Sequence, residues 1–224
     1  MDRELFFTRV REAARAGAAY RVHTPSLPDG VGYCGAGDDP AARLVAEVNA
    51  VGGEGRLVTD LPAARAALTE IIDRYAPATA LTWRHPLLDA IGLDELLVSK
   101  GVQKLDFGTL RDLPLEQRRA DMLAADIGIS SVTAAVAETG TLALASGPGQ
   151  ERVASLLPPV HVALVAASQI VPDLFDLFAQ MQPAEMPSNW VFITGPSKTG
   201  DLELKLTTGV HGPGHWHVIV VRES

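Results

Sequence analysis

The sequence predicts an α/β fold with a mostly parallel sheet that helices cover on both faces. Short, nearly continuous apolar runs typical of buried strands recur along the chain, and segments with the apolar period of a helix lie between many of them. The 224 residues are 47% apolar, which is enough to bury a full core without disulfides or metal. One main domain is therefore expected.

Residues 1–39 are predicted to form a helix and a linker outside that domain, which covers residues 40–224. Residues 2–18 have one apolar side and place arginines on the other side, which is typical of a helix. Residues 20–40 are rich in Gly, Pro and Asp and lack an apolar period, so we expect them to run over the surface.

Predicted helices and strands alternate through the main domain, as they do in βαβ units. Helices are predicted over residues 41–50, 63–75, 115–124 and 171–181, and a further helix is expected just after Ser197. Strands are predicted over residues 56–59, 79–82, 102–105, 126–129, 142–145, 160–165, 191–194 and 218–221.

Composition excludes several classes of function. The formal net charge of −8 and the lack of a basic stripe argue against binding to nucleic acid. The single cysteine, Cys34, excludes an internal disulfide and an iron–sulfur cluster held by four cysteines of this chain. The chain begins without the order of a signal peptide, and no stretch has the length of a membrane span. We therefore expect a cytoplasmic protein.

Three glycine-containing segments in the C-terminal half are the strongest functional signal. They are residues 126–141, with Glu138, Thr139, Gly140 and Thr141; residues 192–201, with Gly195, Ser197 and Lys198; and residues 209–214, with His211 and Gly212. Glycine lets backbone N–H groups approach a ligand closely, and small hydroxyl groups add donors without bulk. Because turns at the carboxyl ends of parallel strands bind ligands, we expect the three segments to converge on one pocket.

Glu138 is the candidate catalytic residue. It lies among small residues immediately before a predicted strand, where a desolvated carboxylate can act as a base, a nucleophile or an acceptor for a ligand hydroxyl. The alternative is that its carboxylate accepts backbone N–H groups and holds the turn.

Two cations are candidates for binding an anion. Arg152 follows a glycine-rich turn, where a guanidinium can clamp a carboxylate or phosphate. Lys198 lies in a Gly-Pro-Ser turn that we expect to open a helix, with free N–H groups facing an anion. For each, the alternative is a solvated loop residue. The segment around Lys198 lacks the order of a Walker A loop, so a nucleoside triphosphatase is not predicted.

The residues around each histidine indicate whether it is a candidate for contacting a ligand or a metal ion. His211 lies between glycines and is the best candidate for contacting a ligand, whereas His85 either reaches the same rim or begins a helix. His215 and His217 share one face of a predicted strand, but no further ligand lies at a diagnostic spacing. No metal site is predicted.

At these residues the chain resembles the lactate-utilisation protein C family, the LUD-domain proteins. The matching segments are residues 128–130 and 137–141, Arg152 with 155–158, residues 193–197 with 201–203, and residues 209–213. The resemblance implies a three-layer α/β/α sandwich with a Rossmann-like sheet, similar to the NagB, ribose-5-phosphate isomerase and CoA-transferase group. It also implies a part in oxidising L-lactate to pyruvate, together with two partner proteins that hold the iron–sulfur clusters.

Three functions follow from these observations. The leading one is a subunit of a lactate-oxidising assembly that holds no cofactor of its own and binds a small carboxylate or other anionic ligand. The second is a free-standing enzyme of the CoA-transferase or sugar-phosphate isomerase type that uses Glu138. The third is a scaffold in which the glycine segments only shape turns.

Overall fold

The computed structural model describes residues 3–18, 35–181, 186–200, 206–208 and 212–222. The chain divides into two compact units, Met1–Tyr33 and Cys34–Ser224. The first unit contains helix α1 (Arg3–Ala18), in agreement with the sequence. Most of the predicted linker lies outside the described residues, so the separation of residues 1–39 from the main domain stays a prediction.

The second unit alternates helices and strands. Its helices are α2 (Pro40–Ala50), α3 (Leu61–Tyr75), α4 (Pro86–Ala90), α5 (Leu93–Ser99), α6 (Phe107–Arg111), α7 (Leu115–Leu123), α8 (Val153–Leu156) and α9 (Leu174–Gln180). Its strands are β1 (Glu54–Val58), β2 (Thr79–Thr82), β3 (Gln103–Leu105), β4 (Ile127–Ser130), β5 (Ala134–Val136), β6 (Thr141–Ala145), β7 (Val160–Ala166), β8 (Ile170–Val171), β9 (Trp190–Ile193), β10 (Lys198–Gly200), β11 (Leu206–Thr208) and β12 (His215–Val221).

A six-stranded parallel sheet forms the centre of the unit, in the order β1-β12-β7-β4-β2-β3. Strands β4 and β7 are buried along their whole length, as expected for a sheet that is covered on both faces. Helices flank this sheet, which confirms the predicted α/β/α class. The chain passes from β2 to β3 on one side and then returns to β4 on the other side of β2, so the strand order reverses between β2 and β4.

A second, four-stranded sheet was not predicted. Its order is β8-β5-β6-β9, and the β5–β6 and β6–β9 pairs are antiparallel. The chain reverses between β5 and β6 in a tight turn, which Gly140 allows because its φ angle is +68°. The sequence predicted β6 and β9 as strands, but the direction of β6 depends on this turn and that of β9 on its pairing with β6.

The predicted helix after Ser197 is wrong. Lys198–Gly200 is strand β10, which pairs antiparallel with β11. A β-branched threonine and a glycine in this segment are poor helix formers, and strand pairing satisfies the backbone instead. The short helices α5, α6 and α8 were not predicted, because four to seven residues are too few to show a helical period. The start of α4 agrees with the alternative interpretation of His85.

Candidate functional site

Hydrogen bonds join the three glycine segments. The hydroxyl groups of Thr141 and Thr194 lie 2.8 Å apart, which connects the first segment to the second. The backbone N–H of Ser197 donates to the carbonyl oxygen of Pro213 at 2.9 Å, which connects the second segment to the third. The first and second segments, which are about 50 residues apart in the sequence, therefore lie side by side, and the third lies against the second. Ligand binding by their residues stays a prediction.

The segments do not leave the carboxyl ends of the parallel strands, and that expectation is wrong. Residues 137–140 form the turn between antiparallel β5 and β6, Gly195 follows the antiparallel strand β9, and Gly212 leads into the amino end of β12. Strand direction within the small sheet is set by the hairpin and by long-range pairing, and neither is visible in a local apolar run.

The turn that contains Glu138 packs closely against helix α2. A Cβ atom on Gly140 would lie 2.9 Å from backbone atoms of Glu47 and Val48, so the helix alone requires a glycine here. Glu138 is half-buried, its Oε1 accepts from the backbone N–H of Gly35 at 3.4 Å, and its own N–H donates to Pro172. The carboxylate thus accepts one backbone N–H, and this bond joins the turn to Gly35, 103 residues earlier in the chain.

Three threonine hydroxyl groups form a continuous chain from this turn to the second segment. Thr139 and Thr141 lie 2.7 Å apart through their Oγ1 atoms, and Thr141 lies 2.8 Å from Thr194. Each hydroxyl both donates and accepts, so the chain links the residue after Glu138 to the second segment.

A cavity of about 180 Å³ opens where the second and third segments meet the central sheet, and no residue of the first segment lines it. The three segments therefore do not all converge on one pocket. We call this the three-segment cavity, after the three hydrogen-bonded segments. Its lining includes Thr194, Gly195, Ser197, Gly212 and Pro213 from the segments, Ser155 from α8, and His161 and Trp216 from the sheet. His161 and Trp216 are the second residues of β7 and β12 and pair with each other in the sheet register. The cavity is therefore near the amino ends of these strands.

His161 is fully buried, and one of its ring nitrogens has no partner. Its Nε2 lies 2.9 Å from the hydroxyl oxygen of Ser130, whereas Nδ1 makes no hydrogen bond within the described part of the chain. Burial lowers the pKa of His161 to about 3, so the ring is neutral at physiological pH. The indole Nε1 of Trp216 is likewise buried without a partner among the described residues. A polar group left unpaired costs about 1–3 kcal/mol, so both atoms favour a polar partner.

Sequence analysis missed His161, Trp216 and Ser130. The usable signal was a single histidine within the otherwise apolar strand β7, because a buried polar residue needs a partner. The partner Ser130 is 31 residues away and becomes adjacent only through strand pairing.

The two candidate cations, Lys198 and Arg152, lie outside the three-segment cavity. Lys198 is exposed, and its ammonium group donates to the carbonyl oxygen of Val51 at 2.7 Å, at the C-terminal end of α2, where a positive charge is favourable. Arg152 precedes α8 and lines a different cavity of about 620 Å³. The structure therefore brings neither cation into the three-segment cavity, and His211 lies outside the described residues.

His85 and His217 have structural partners. His85 caps helix α4, since its Nδ1 accepts from the backbone N–H of Leu87 at 3.2 Å. His217 Nε2 lies 3.0 Å from the hydroxyl of Tyr75, and its Nδ1 lies 3.6 Å from a carboxylate oxygen of Glu54. Within the described ranges, no group of three or more His, Cys, Asp and Glu side chains is placed to hold a metal ion.

Acidification is expected to destabilise the protein between pH 7 and pH 5. Burial lowers the pKa of His161 to about 3 and that of His217 to about 4, so the unfolded chain binds protons in this range that the folded chain excludes. Stability is thus fully present above the unfolded pKa of about 6.5 and is lost as the pH falls. Each histidine should contribute a loss of about 2 kcal/mol in the free energy of unfolding, measured by urea titration.

The His217→Gln variant should lose the contribution of His217 to the pH dependence of the free energy of unfolding. The pH dependence that His161 contributes should persist in this variant. Equal unfolding free energies at pH 5 and pH 7 in the wild type would contradict the prediction.

Comparison with known proteins places the chain in a family. The family model of the LUD domain matches residues 41–221. The chain belongs to the LUD-domain family. Among its relatives, Lactate utilization protein C of Halalkalibacterium halodurans is 32% identical over 162 residues, covering 70% of this chain and 68% of that protein. Lactate utilization protein C of a Geobacillus species is 33% identical over 162 residues, covering 70% and 67%.

A solved structure supports the fold. The crystal structure of a DUF162 family protein from Deinococcus radiodurans matches with a TM-score of 0.57 and 19% identity, over 82% of this chain and 96% of that one. In addition, the helices of the described residues are all too short or too polar to cross a membrane.

Proposed function

We propose that this chain acts in L-lactate utilisation as a cytoplasmic subunit of an assembly that oxidises L-lactate to pyruvate. Two relatives that match over two thirds of their length are named Lactate utilization protein C. In the proposed assembly the iron–sulfur clusters reside on partner proteins, and this chain binds a small carboxylate or other anionic ligand.

The observation that supports the binding role most strongly is the meeting of two glycine segments over two unpaired buried nitrogens. An apolar cavity of about 150 Å³ holds benzene, which has six heavy atoms. The three-segment cavity has about 180 Å³, and L-lactate and pyruvate each have six heavy atoms. The cavity therefore has the size of these ligands.

The cavity offers neutral hydrogen-bonding groups. Its described lining includes Thr194, Ser197 and Trp216, whose side chains carry hydroxyl and indole N–H groups, but no lysine or arginine. Several N–H and O–H donors that converge on one anion replace its hydration shell without a paired cation. Because the whole chain carries a net charge of −8, such short-range donors are what overcomes the long-range repulsion of a carboxylate.

Oxidation of a 2-hydroxy acid breaks the O–H and C2–H bonds and forms a C=O bond: a base takes the hydroxyl proton, and the C2 hydrogen leaves with its bonding electron pair to an acceptor. We assign the base to Glu138. Its carboxylate does not line the cavity, so the proposed proton route runs along the hydroxyl groups of Thr194, Thr141 and Thr139, the residue next to Glu138. Gly140 and Thr141 shape that turn, and Gly195 and Gly212 leave backbone atoms accessible at the rim. Iron–sulfur clusters on the partner proteins would supply the electron acceptor, and this chain would supply the base and the donors that hold the substrate.

Isothermal titration calorimetry of the purified chain with L-lactate and pyruvate tests this proposal. Ser197→Ala should weaken binding about five- to tenfold, the effect of one lost hydrogen bond. The matched control is Ser99→Ala, which removes a hydroxyl group that only donates to Leu96 at the end of α5. Undetectable binding of both ligands, or equal weakening in the two variants, would contradict the assignment.

A further inference from the structure

A second, strongly cationic cleft lies at the carboxyl edge of the central sheet. It consists of two adjoining cavities of about 180 and 620 Å³, which share Phe107 and Glu151 as lining residues. The smaller cavity begins at Thr82, the last residue of β2, next to the point where the strand order reverses. In open α/β sheets, ligands bind in the crevice at such a reversal. We call both cavities together the arginine cleft.

The charge of this cleft is opposite to that of the chain. The cationic residues that line it are Arg84, Lys104, Arg111, Arg118, Arg119 and Arg152, whereas its acidic lining residues are Asp106 and Glu151. Within the described part of the chain, Arg111, Arg118 and Arg152 form no ion pair. Such a concentration of unpaired cations in a protein with a net charge of −8 is typical of a site for an anion.

Two buried polar atoms at the bottom of the cleft lack a partner. The side-chain oxygen of Thr82, a residue that is only 4% exposed, makes no hydrogen bond to any described residue. Glu151 accepts the backbone N–H of Gly149 through Oε1 at 3.2 Å, but its Oε2 is buried and unpaired among the described residues. A buried carboxylate oxygen needs a donor, so a fitting ligand carries hydroxyl or N–H groups in addition to its anionic group.

The wider cavity adds an apolar wall and polar groups. Phe107, Leu115 and Met122 line one part of it, and Ser188 and Asn189 line another. An aromatic ring and aliphatic side chains form a surface for a planar base, while amide and hydroxyl groups read its polar edge. The cavity also lies within the size range of about 300–1,000 Å³ that is usual for sites of drug-sized ligands.

We propose that the arginine cleft binds a nucleotide. Its phosphate groups contact Arg84, Lys104 and Arg111, a ribose hydroxyl donates to Glu151, and the base lies against Phe107 in the wider cavity. An acidic peptide fits less well, because it offers Glu151 a further carboxylate instead of a donor. This site is separate from the three-segment cavity and does not depend on the function proposed for it.

Isothermal titration calorimetry of the full chain with ADP and, separately, with inorganic phosphate tests the proposal. Arg111→Gln should raise the dissociation constant of ADP at least tenfold, because an unpaired arginine that contacts phosphate is lost. Arg56→Gln is the matched control: it removes the same charge from β1, at the opposite edge of the sheet, and should change the constant less than twofold.

A third variant tests the ribose contact. Glu151→Gln should weaken binding of ADP about fivefold but leave phosphate binding unchanged or stronger, since the carboxylate accepts from ribose and repels phosphate. The proposal is overturned if ADP does not bind at millimolar concentration, if Arg111→Gln and Arg56→Gln behave alike, or if a polyglutamate peptide binds the cleft as tightly as ADP.

Discussion

The Glu138→Gln variant is expected to lose lactate-dependent activity by a factor of about 100 or more, because an amide cannot take the hydroxyl proton of the substrate. The amide oxygen still accepts the backbone N–H of Gly35, so the turn should keep its structure. Activity is measured as lactate-dependent reduction of an acceptor by the reconstituted assembly, or as growth on L-lactate. The melting temperature of the variant should stay within about 1 °C of the wild-type value.

Glu95→Gln is the matched control for this variant. Glu95 lies in the first turn of α5 and is exposed, so the same chemical change there should leave activity unaffected. Full activity of Glu138→Gln with an unchanged melting curve would show that Glu138 has no catalytic role. A large fall in melting temperature would show that the carboxylate acts by holding the turn.

The Gly128→Ala variant is expected to show the largest loss of stability. Gly128 lies in β4 directly under α8, and a Cβ atom there would be 1.7 Å from the carbonyl oxygen of Ala154. A contact that short forces the helix away from the sheet. We expect a loss of at least about 3 kcal/mol and a fall in melting temperature of roughly 6–12 °C, measured by thermal unfolding.

The substitution should also affect ligand binding, because α8 supplies Ser155 to the three-segment cavity and follows Arg152 in the arginine cleft. Gly147→Ala is the matched control, since a Cβ atom at Gly147 would meet no atom within 4 Å. Its melting temperature should change by less than about 2 °C. Similar melting temperatures for the two variants would contradict the packing argument.

Local sequence signals were sufficient for the central sheet. Strand β7 is a seven-residue run that is apolar except for His161, and it is buried throughout. Helix α3 begins after Asp60, whose side chain caps the backbone N–H of Ala63, and it has Pro62 in its first turn. These signals lie within a few residues of the element that they specify, so strands and long helices were predicted with only small errors at their ends.

Features that depend on long-range pairing were not predictable in the same way. The direction of β5 and β6 follows from the turn at Gly140, which packs on α2 nearly 100 residues earlier in the chain. The meeting of Ser130 with His161 follows from the register of β4 and β7. The three glycine segments were recognised from composition, but the residues beneath them could be named only once the sheets were assembled.

The arginine cleft illustrates the same limit. Its cations come from the end of β2, from β3, α6 and α7 and from the start of α8, and they are spread over nearly 70 residues of an acidic chain. Only Arg152 attracted attention in the sequence, because a glycine-rich turn precedes it. A net charge describes the whole surface and does not reveal a local cluster of the opposite sign.

The central claim is that the three-segment cavity binds the carboxylate substrate, and a crystal structure of the chain grown with L-lactate tests it most directly. The account predicts one lactate molecule in this cavity, within hydrogen-bonding distance of His161 Nδ1 or Trp216 Nε1 and of the Ser197 hydroxyl. Lactate bound in the arginine cleft instead, or a cavity without lactate at a concentration that saturates binding in solution, would contradict the claim.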